Sequence, residues 1–525
     1  MKHLFISIVA IGLCLCYTSC NNDEDEIRTK AKAESIYLQL TLSDGKPITR
    51  TIGGTIEDEE KERKVSDLSV FLLKEGSTQT TDVTGTTSPF LQFGSVRINQ
   101  NNETELIEIP AENQGTYKLY VLTNTGGNSS FSPITRSEQT FIGQYGTYGY
   151  SAAKEFWTPN QFFMSNRQND VNGVASVEVN LTGHHPMEDP LRVEVNMERM
   201  ALKVVVTEAT NIDVKPAGTL VYGTDKNYKL ASMTVDGVCL MNCATDFNLI
   251  QQWKNATKAS QMVIQPNRPK GYPELLLVSP SSDPEYSIED GYYNRWKDLV
   301  DPTTKLINSS TEFVAPDVPM FCFENNSPYY TDLPPSETSL SSLASAAKGK
   351  TKMKGRVTAV AIRVHCDLVD GGYYTEDLPL DPNEGIWTRA AGSSKTFYMY
   401  NDICYADKEK LIAMNSSLTT ISTTSSVSEL RNAGVKVFED GYMYYVHWIK
   451  DQNYKDDGEH YFSVMRNTYY GLKVEKITGF GEDIPGGDDY NPYDPIDIED
   501  YSARIESAET AFEVFSLEGD LLDRI

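Results

Sequence analysis

Residues 35–42 read SIYLQLTL, with Ile36, Leu38, Leu40 and Leu42 alternating with Tyr37, Gln39 and Thr41. Alternation of period two puts every second side chain on one face, which is the pattern of a half-buried β-strand. Asp44-Gly45-Lys46-Pro47 ends it, and Thr49-Arg50-Thr51-Ile52-Gly53-Gly54 continues as an irregular segment. The charge run Glu57 to Lys64 reads as solvent-facing, and VSDLSVFLL at 65–73 starts a second strand. Further strand patterns are YKLYVLT at 117–123, VEVNL at 177–181 and LRVEVNMERMALKVVV at 191–206; the last is long enough for two strands or one with a bulge. Residues 228–240, 357–368, 395–400, 442–449 and 470–477 repeat the style, without helical periodicity between them. Residues 339–350 are a loop or a short helix. The abundance of Thr, Ser, Asn, Tyr and Val agrees, so the expected class is all-β.

A chain of 525 residues exceeds one ordinary domain. The polar stretch at 207–217 is a plausible boundary, which gives an N-terminal domain at 51–210 and a C-terminal one at 211–481. Residues 482–500 are rich in Asp, Pro and Gly and read as a linker within an acidic extension, 482–525. Beyond it come Ile505, Phe512, Val514, Phe515, Leu517 and Leu521, enough apolar content for one or two strands. A hydrophobic tail after a hydrophilic linker needs something to bury it.

At the other end, Lys2 and His3 precede an apolar and small-residue run from Leu4 to Leu15, closed by Tyr17-Thr18-Ser19-Cys20. The run is too short to span a bilayer and has the build of a secretory signal, residues 1–19, leaving 20–50 as a propeptide. The formal charge of −27 excludes nucleic acid as a natural partner. Cys239, Cys243, Cys322, Cys366 and Cys404 are odd in number and scattered, so they read as small buried hydrophobes; no second Cys or His pair completes a zinc site with Cys239 and Cys243. His184-His185, near Glu188 and Asp189, reads as a surface turn, and His365 and His447 sit within strands. With no phosphate-cradling loop and no nucleophile elbow, the expectation is a non-enzyme without cofactor or metal.

Several of these passages together resemble the fimbrillins of Bacteroidales type V pili, and especially the shaft subunit of the minor-fimbrium type. They are VSDLSVFLL, YKLYVLTNTGG at 117–127, MERMALKVVV at 197–206, FCFENN at 321–326, YMYYVHWIK at 442–450, VMRNTYY at 464–470 and KVEKITGFG at 473–481. The resemblance implies two tandem transthyretin-like β-sandwich domains with a C-terminal donor-strand extension. It implies lipidation of Cys20 and, through Asn21 to Glu26, display on the outer membrane. It further implies an Arg-specific protease that cuts between Arg50 and Thr51; Arg28 and Lys30 are rival sites, but a cut there frees the lipid and leaves the strand in place. The cut after Arg50 frees the strand of Ile36, Leu38, Leu40 and Leu42, an edge element on this reading, and the vacated groove takes the tail of the next copy in a surface pilus. The donor would come from Ile505, Phe512, Val514, Phe515, Leu517 and Leu521. Implied partners are other copies, tip and anchor subunits, and adhesion receptors on host or bacteria.

Two other readings fit the same chain. One is a tip or anchor subunit of such a pilus. The other is a surface glycan-binding lipoprotein, with Trp157, Trp253, Trp296, Trp387 and Trp448 as sugar-stacking platforms.

Overall fold

The computed structural model describes residues 35–44, 62, 64–74, 90–125, 141, 144–145, 153–166, 176–214, 219–222, 226–245, 247–250, 292–325, 352–375, 395–401, 403–450, 462–464, 466–477, 480–492, 494–496 and 512–516. In the first part the alternating stretches become β1 (Ile36–Asp44), β2 (Leu68–Lys74), β3 (Phe90–Phe93), β4 (Ile107–Ile109), β5 (Gly115–Thr123), β6 (Met164–Asn166), β7 (Val177–Leu181) and β8 (Leu191–Arg199). They form one eight-stranded sheet in the order β3-β2-β5-β6-β8-β1-β4, with β7 paired to β5. The apolar faces of β1, β2, β5 and β7 supply its core. Phe141 caps that core, its ring 5.1 Å from Phe71 and 5.7 Å from Tyr120.

The second part contributes β9 (Ala201–Val214), β10 (Thr219–Tyr222), β11 (Lys226–Met241), β12 (Met320–Phe323), β13 (Ala359–Thr375), β14 (Tyr442–Trp448), β15 (Tyr469–Ile477) and β16 (Phe512–Ser516). Two four-stranded sheets result, in the orders β12-β9-β15-β16 and β10-β11-β13-β14. The expected all-β class therefore holds. The run at 191–206 is two strands broken at Met200, and β9 continues to Val214 in a different sheet from β8. The change of sheet thus falls at Met200, ahead of the polar 207–217 stretch that suggested a boundary near 210.

Val360, Ile362 and Val364 of β13 face the main core, with Val204 and Val206 of β9 and Leu472 and Val474 of β15. Ala359 and Ala361 point the other way, into a second core with Cys239, Met241 and Trp448. Burial on both faces explains why VTAVAIRV reads as a nearly continuous apolar run. What covers the outer face is partly the supposed linker. Ile484, Tyr490 and Ile496 are buried there beside Leu299 and Val300, and the Tyr490 ring stacks on Trp296 at 5.6 Å. Trp296 donates its indole N–H to the carbonyl of Pro485 at 2.8 Å. Residues 482–492 and 494–496 are therefore part of the folded body. Asp, Pro and Gly predominate in that stretch, but its three large apolar side chains suffice to anchor it.

The strands-only reading also passed over two short helices, at Lys408–Met414 and Val427–Asn432. The second starts on a reciprocal cap, Ser426 with Glu429.

His447 of β14 is buried, and burial, reinforced by Lys450, holds its imidazole down to about 3. The native state keeps it neutral while the unfolded chain protonates near 6.5, so stability is full above that pH and falls as pH drops from 6.5 toward 3. The slope is about 1.4 kcal/mol per pH unit. Asp483, raised by burial against the pull of Arg431, works in the opposite sense at the acid end. Urea unfolding at pH 7 and 4.5 should show a loss of about 2–3 kcal/mol from His447. His447→Gln should flatten that difference, and an unchanged slope would contradict it.

Candidate functional site

β1 comes first in sequence yet lies inside the sheet. It runs parallel to β8, from Leu38 opposite Leu191 to Asp44 opposite Met197, and antiparallel to β4, from Ile36 opposite Ile109 to Leu38 opposite Ile107. Past β4 the neighbouring loop continues the pairing. Thr104 donates its N–H to the Leu40 carbonyl at 2.8 Å, and its Oγ1 accepts from Leu40 N–H at 2.9 Å. Leu42 N–H donates to Asn102 O at 2.8 Å, and Tyr37 N–H to His185 O at 2.9 Å in the His-His turn. The edge-element expectation is thus corrected: β1 is held on both sides, because the 99–109 segment folds back over its outer edge.

Ile36, Leu38, Leu40 and Leu42 are each at most 4% exposed. Burying four such side chains contributes about 6–12 kcal/mol. Taking β1 away would leave unpaired backbone on β8 and on the 102–109 segment, with apolar pockets between them. Such a slot is a template for strand addition. Cys20, Arg50 and Thr51, and Ile505, Leu517 and Leu521, lie outside the described residues. Phe512, Val514 and Phe515 fall in β16, which pairs antiparallel with β15 of the same chain, from Tyr470 opposite Ser516 to Val474 opposite Phe512.

A second constellation lies where β8 passes into β9, and the sequence reading did not assemble it. Arg466 is buried, with Nε donating to Glu324 at 2.9 Å and Nη2 to the Asn248 carbonyl at 2.6 Å; Glu198 stands at 3.8 Å. Burial, the largest single influence, opposes its charge, but the Glu324 and Glu198 carboxylates together outweigh it and raise the guanidinium above its ordinary value. Next to it, Asn467 Oδ1 accepts from Nε of Arg199 at 3.3 Å. Arg199 also donates to Glu62 at 2.9 Å, and Lys203 donates to the other oxygen of Glu62 at 2.5 Å. Aromatic rings close the same region: Phe156 lies 5.0 Å from Phe247 and 5.2 Å from Phe323, and Phe162 lies 5.1 Å from Phe321. The FCFENN and VMRNTYY passages thus meet at one joint. Glu324 and Arg466, opposite charges that each follow a mostly apolar run and precede an asparagine, were the available signal.

Residues 436–513 match the family described as Major fimbrial subunit protein type IV, Fimbrillin, C-terminal. That stretch is similar to a fimbrillin C-terminal domain. Within the fimbrillin-matching region lie β14, β15 and the Arg466-Asn467 pair of the joint. No curated protein matches the chain. Among solved structures it is similar to a candidate cell adhesion protein from Bacteroides eggerthii, with 12% identity, 89% of this chain and 93% of that one covered, and a TM-score of 0.38. A candidate cell adhesion protein from Parabacteroides distasonis gives 10%, 88% and 96%, and 0.40. The fimbrial anchor protein Mfa2 from Porphyromonas gingivalis gives 12%, 41% and 62%, and 0.22.

The five described cysteines, Cys239, Cys243, Cys322, Cys366 and Cys404, are free thiols and buried, as expected of small hydrophobes. Among the described residues, no group of three His, Cys, Asp or Glu could hold a metal ion. Trp157 and Trp448 are less than a tenth exposed, and Trp296 is stacked on Tyr490; Trp253 and Trp387 lie outside the described residues.

Proposed function

We propose that this chain is a structural shaft subunit of a surface pilus that polymerises by exchanging β1 for a neighbour's tail. The precursor is exported, lipidated at Cys20 and held on the outer membrane; two or three acyl chains would anchor it stably, where one would not. An Arg-specific protease cuts between Arg50 and Thr51 and releases β1. The slot between β8 and the 102–109 segment then accepts residues from the 505–521 region of the next copy. A head-to-tail contact of this kind does not close on itself and yields a filament.

The observation that carries this reading is the placement of β1. The first described strand fills a slot inside a sheet, contributes four buried side chains, and is followed by a single arginine in a Pro- and Gly-flanked stretch. A glycan binder has no use for a removable strand. Its tryptophan platforms are also disfavoured, since the described ones are packed into the protein or against a tyrosine.

N-terminal sequencing of subunits taken from fibres should start at Thr51. A start at lipidated Cys20 would instead indicate an anchor or a tethered glycan binder.

A further inference from the structure

We propose that Glu62 is a clasp that shields the Arg63–Lys64 peptide bond and so confines Arg-directed maturation to Arg50. The proposal rests on the cleavage step of the function proposed above. Glu62 was read as one of several solvated charges between Glu57 and Lys64, yet it is only 7% exposed. Its two carboxylate oxygens take Arg199 at 2.9 Å and Lys203 at 2.5 Å. Those cations belong to β8 and β9, strands of two different sheets, so Glu62 ties the entering chain to the joint between them.

The residue on the other side of Arg63 is fixed as well. The Lys64 carbonyl accepts from Nδ2 of Asn124 at 2.8 Å, and Oδ1 of Asn124 takes Ser66 N–H at 2.7 Å. Asn124 is itself buried, with a positive φ of 58°, at the turn after β5. Arg63 is therefore flanked by two pinned residues. A protease needs several residues on each side of the bond to leave the surface together, which pinning prevents.

The clasp also explains why a cut there would be harmful. Cleavage after Arg63 would release Glu62 and leave Arg199 and Lys203 in a largely buried joint without their shared carboxylate. Cleavage after Arg50 removes β1 and keeps the joint whole.

The test uses the full-length lipidated precursor in detergent and an Arg-specific endoprotease, with timed N-terminal sequencing of the products. The wild-type protein should give a Thr51 start with almost none at Lys64. Glu62→Gln should raise the rate of cutting after Arg63 by about tenfold or more, and Lys203→Gln should raise it less. Arg356, buried in the second part, reports global unfolding. A rise at Arg63 without one at Arg356 supports the clasp; equal rises at both overturn it, as does a wild-type product starting at Lys64. A Glu62-dependent Lys64 product in a protein never cut after Arg50 would retain the clasp and sink the Arg50 assignment, so the two failures are told apart.

Discussion

Arg50→Ala should leave the precursor lipidated, uncut and monomeric, with polymer yield down by orders of magnitude. The reasoning is one of competition. While the peptide between β1 and the sheet is intact, β1 is an intramolecular occupant of its own slot, and an incoming tail must displace it. With about 6 kcal/mol holding β1, the lower bound from its four buried side chains, on the order of one slot in 10,000 is open at any moment. Cleavage changes this by making β1 a separate chain that, once lost, does not return. Size-exclusion chromatography and electron micrographs of purified Arg50→Ala protein would read the outcome. Filaments at wild-type yield would mean that the slot is never vacated through this bond.

Arg466→Met should destabilise the protein by about 3–5 kcal/mol, because it strands buried carboxylates rather than because it deletes an attraction. Glu324 and Glu198 are each under 5% exposed, and both face the guanidinium. With the cation gone they must ionise without a partner or take up protons, and the Asn248 carbonyl loses its donor as well. The discriminating control is the triple replacement of Arg466 by Met, Glu324 by Leu and Glu198 by Leu. Removing the whole buried charge set should recover most of the loss, as replacement of buried ion networks by apolar groups often does. Urea midpoints would settle it. A Arg466→Met loss below about 1 kcal/mol would show that the joint is open to water.

Where one side of a strand faced a core, the sequence was a reliable guide. The alternation at 36–42, 177–181 and 442–449 and the apolar runs at 65–73 and 117–123 all became strands, since burial of alternate side chains is a local property of the chain. The joint was not legible in the same way. Glu62, Glu198, Arg199, Lys203, Glu324 and Arg466 are drawn from four distant stretches, and each alone looks like an ordinary surface charge. Only the topology shows that their charges cancel. The segment 482–496 was misread for a related reason. Its composition is that of a spacer, and Ile484, Tyr490 and Ile496 become significant only once the outer face of β11, β13 and β14 is seen to need a cover. The chemistry-bearing positions Cys20, Arg50 and Thr51 rest on sequence alone.

The direction of β1 has its own consequence. Because β1 runs parallel to β8 and antiparallel to β4, its slot offers evenly spaced, slanted hydrogen-bonding groups on one wall and perpendicular ones on the other. A substitute that keeps both sets must thread the same way round as the original; reversed, it would mismatch each wall. Every junction in a fibre built on this slot therefore shares one orientation. In such a fibre the two extremities would be unlike, one an empty receptor and the other an unspent tail, so a capping molecule would need to match only one of them.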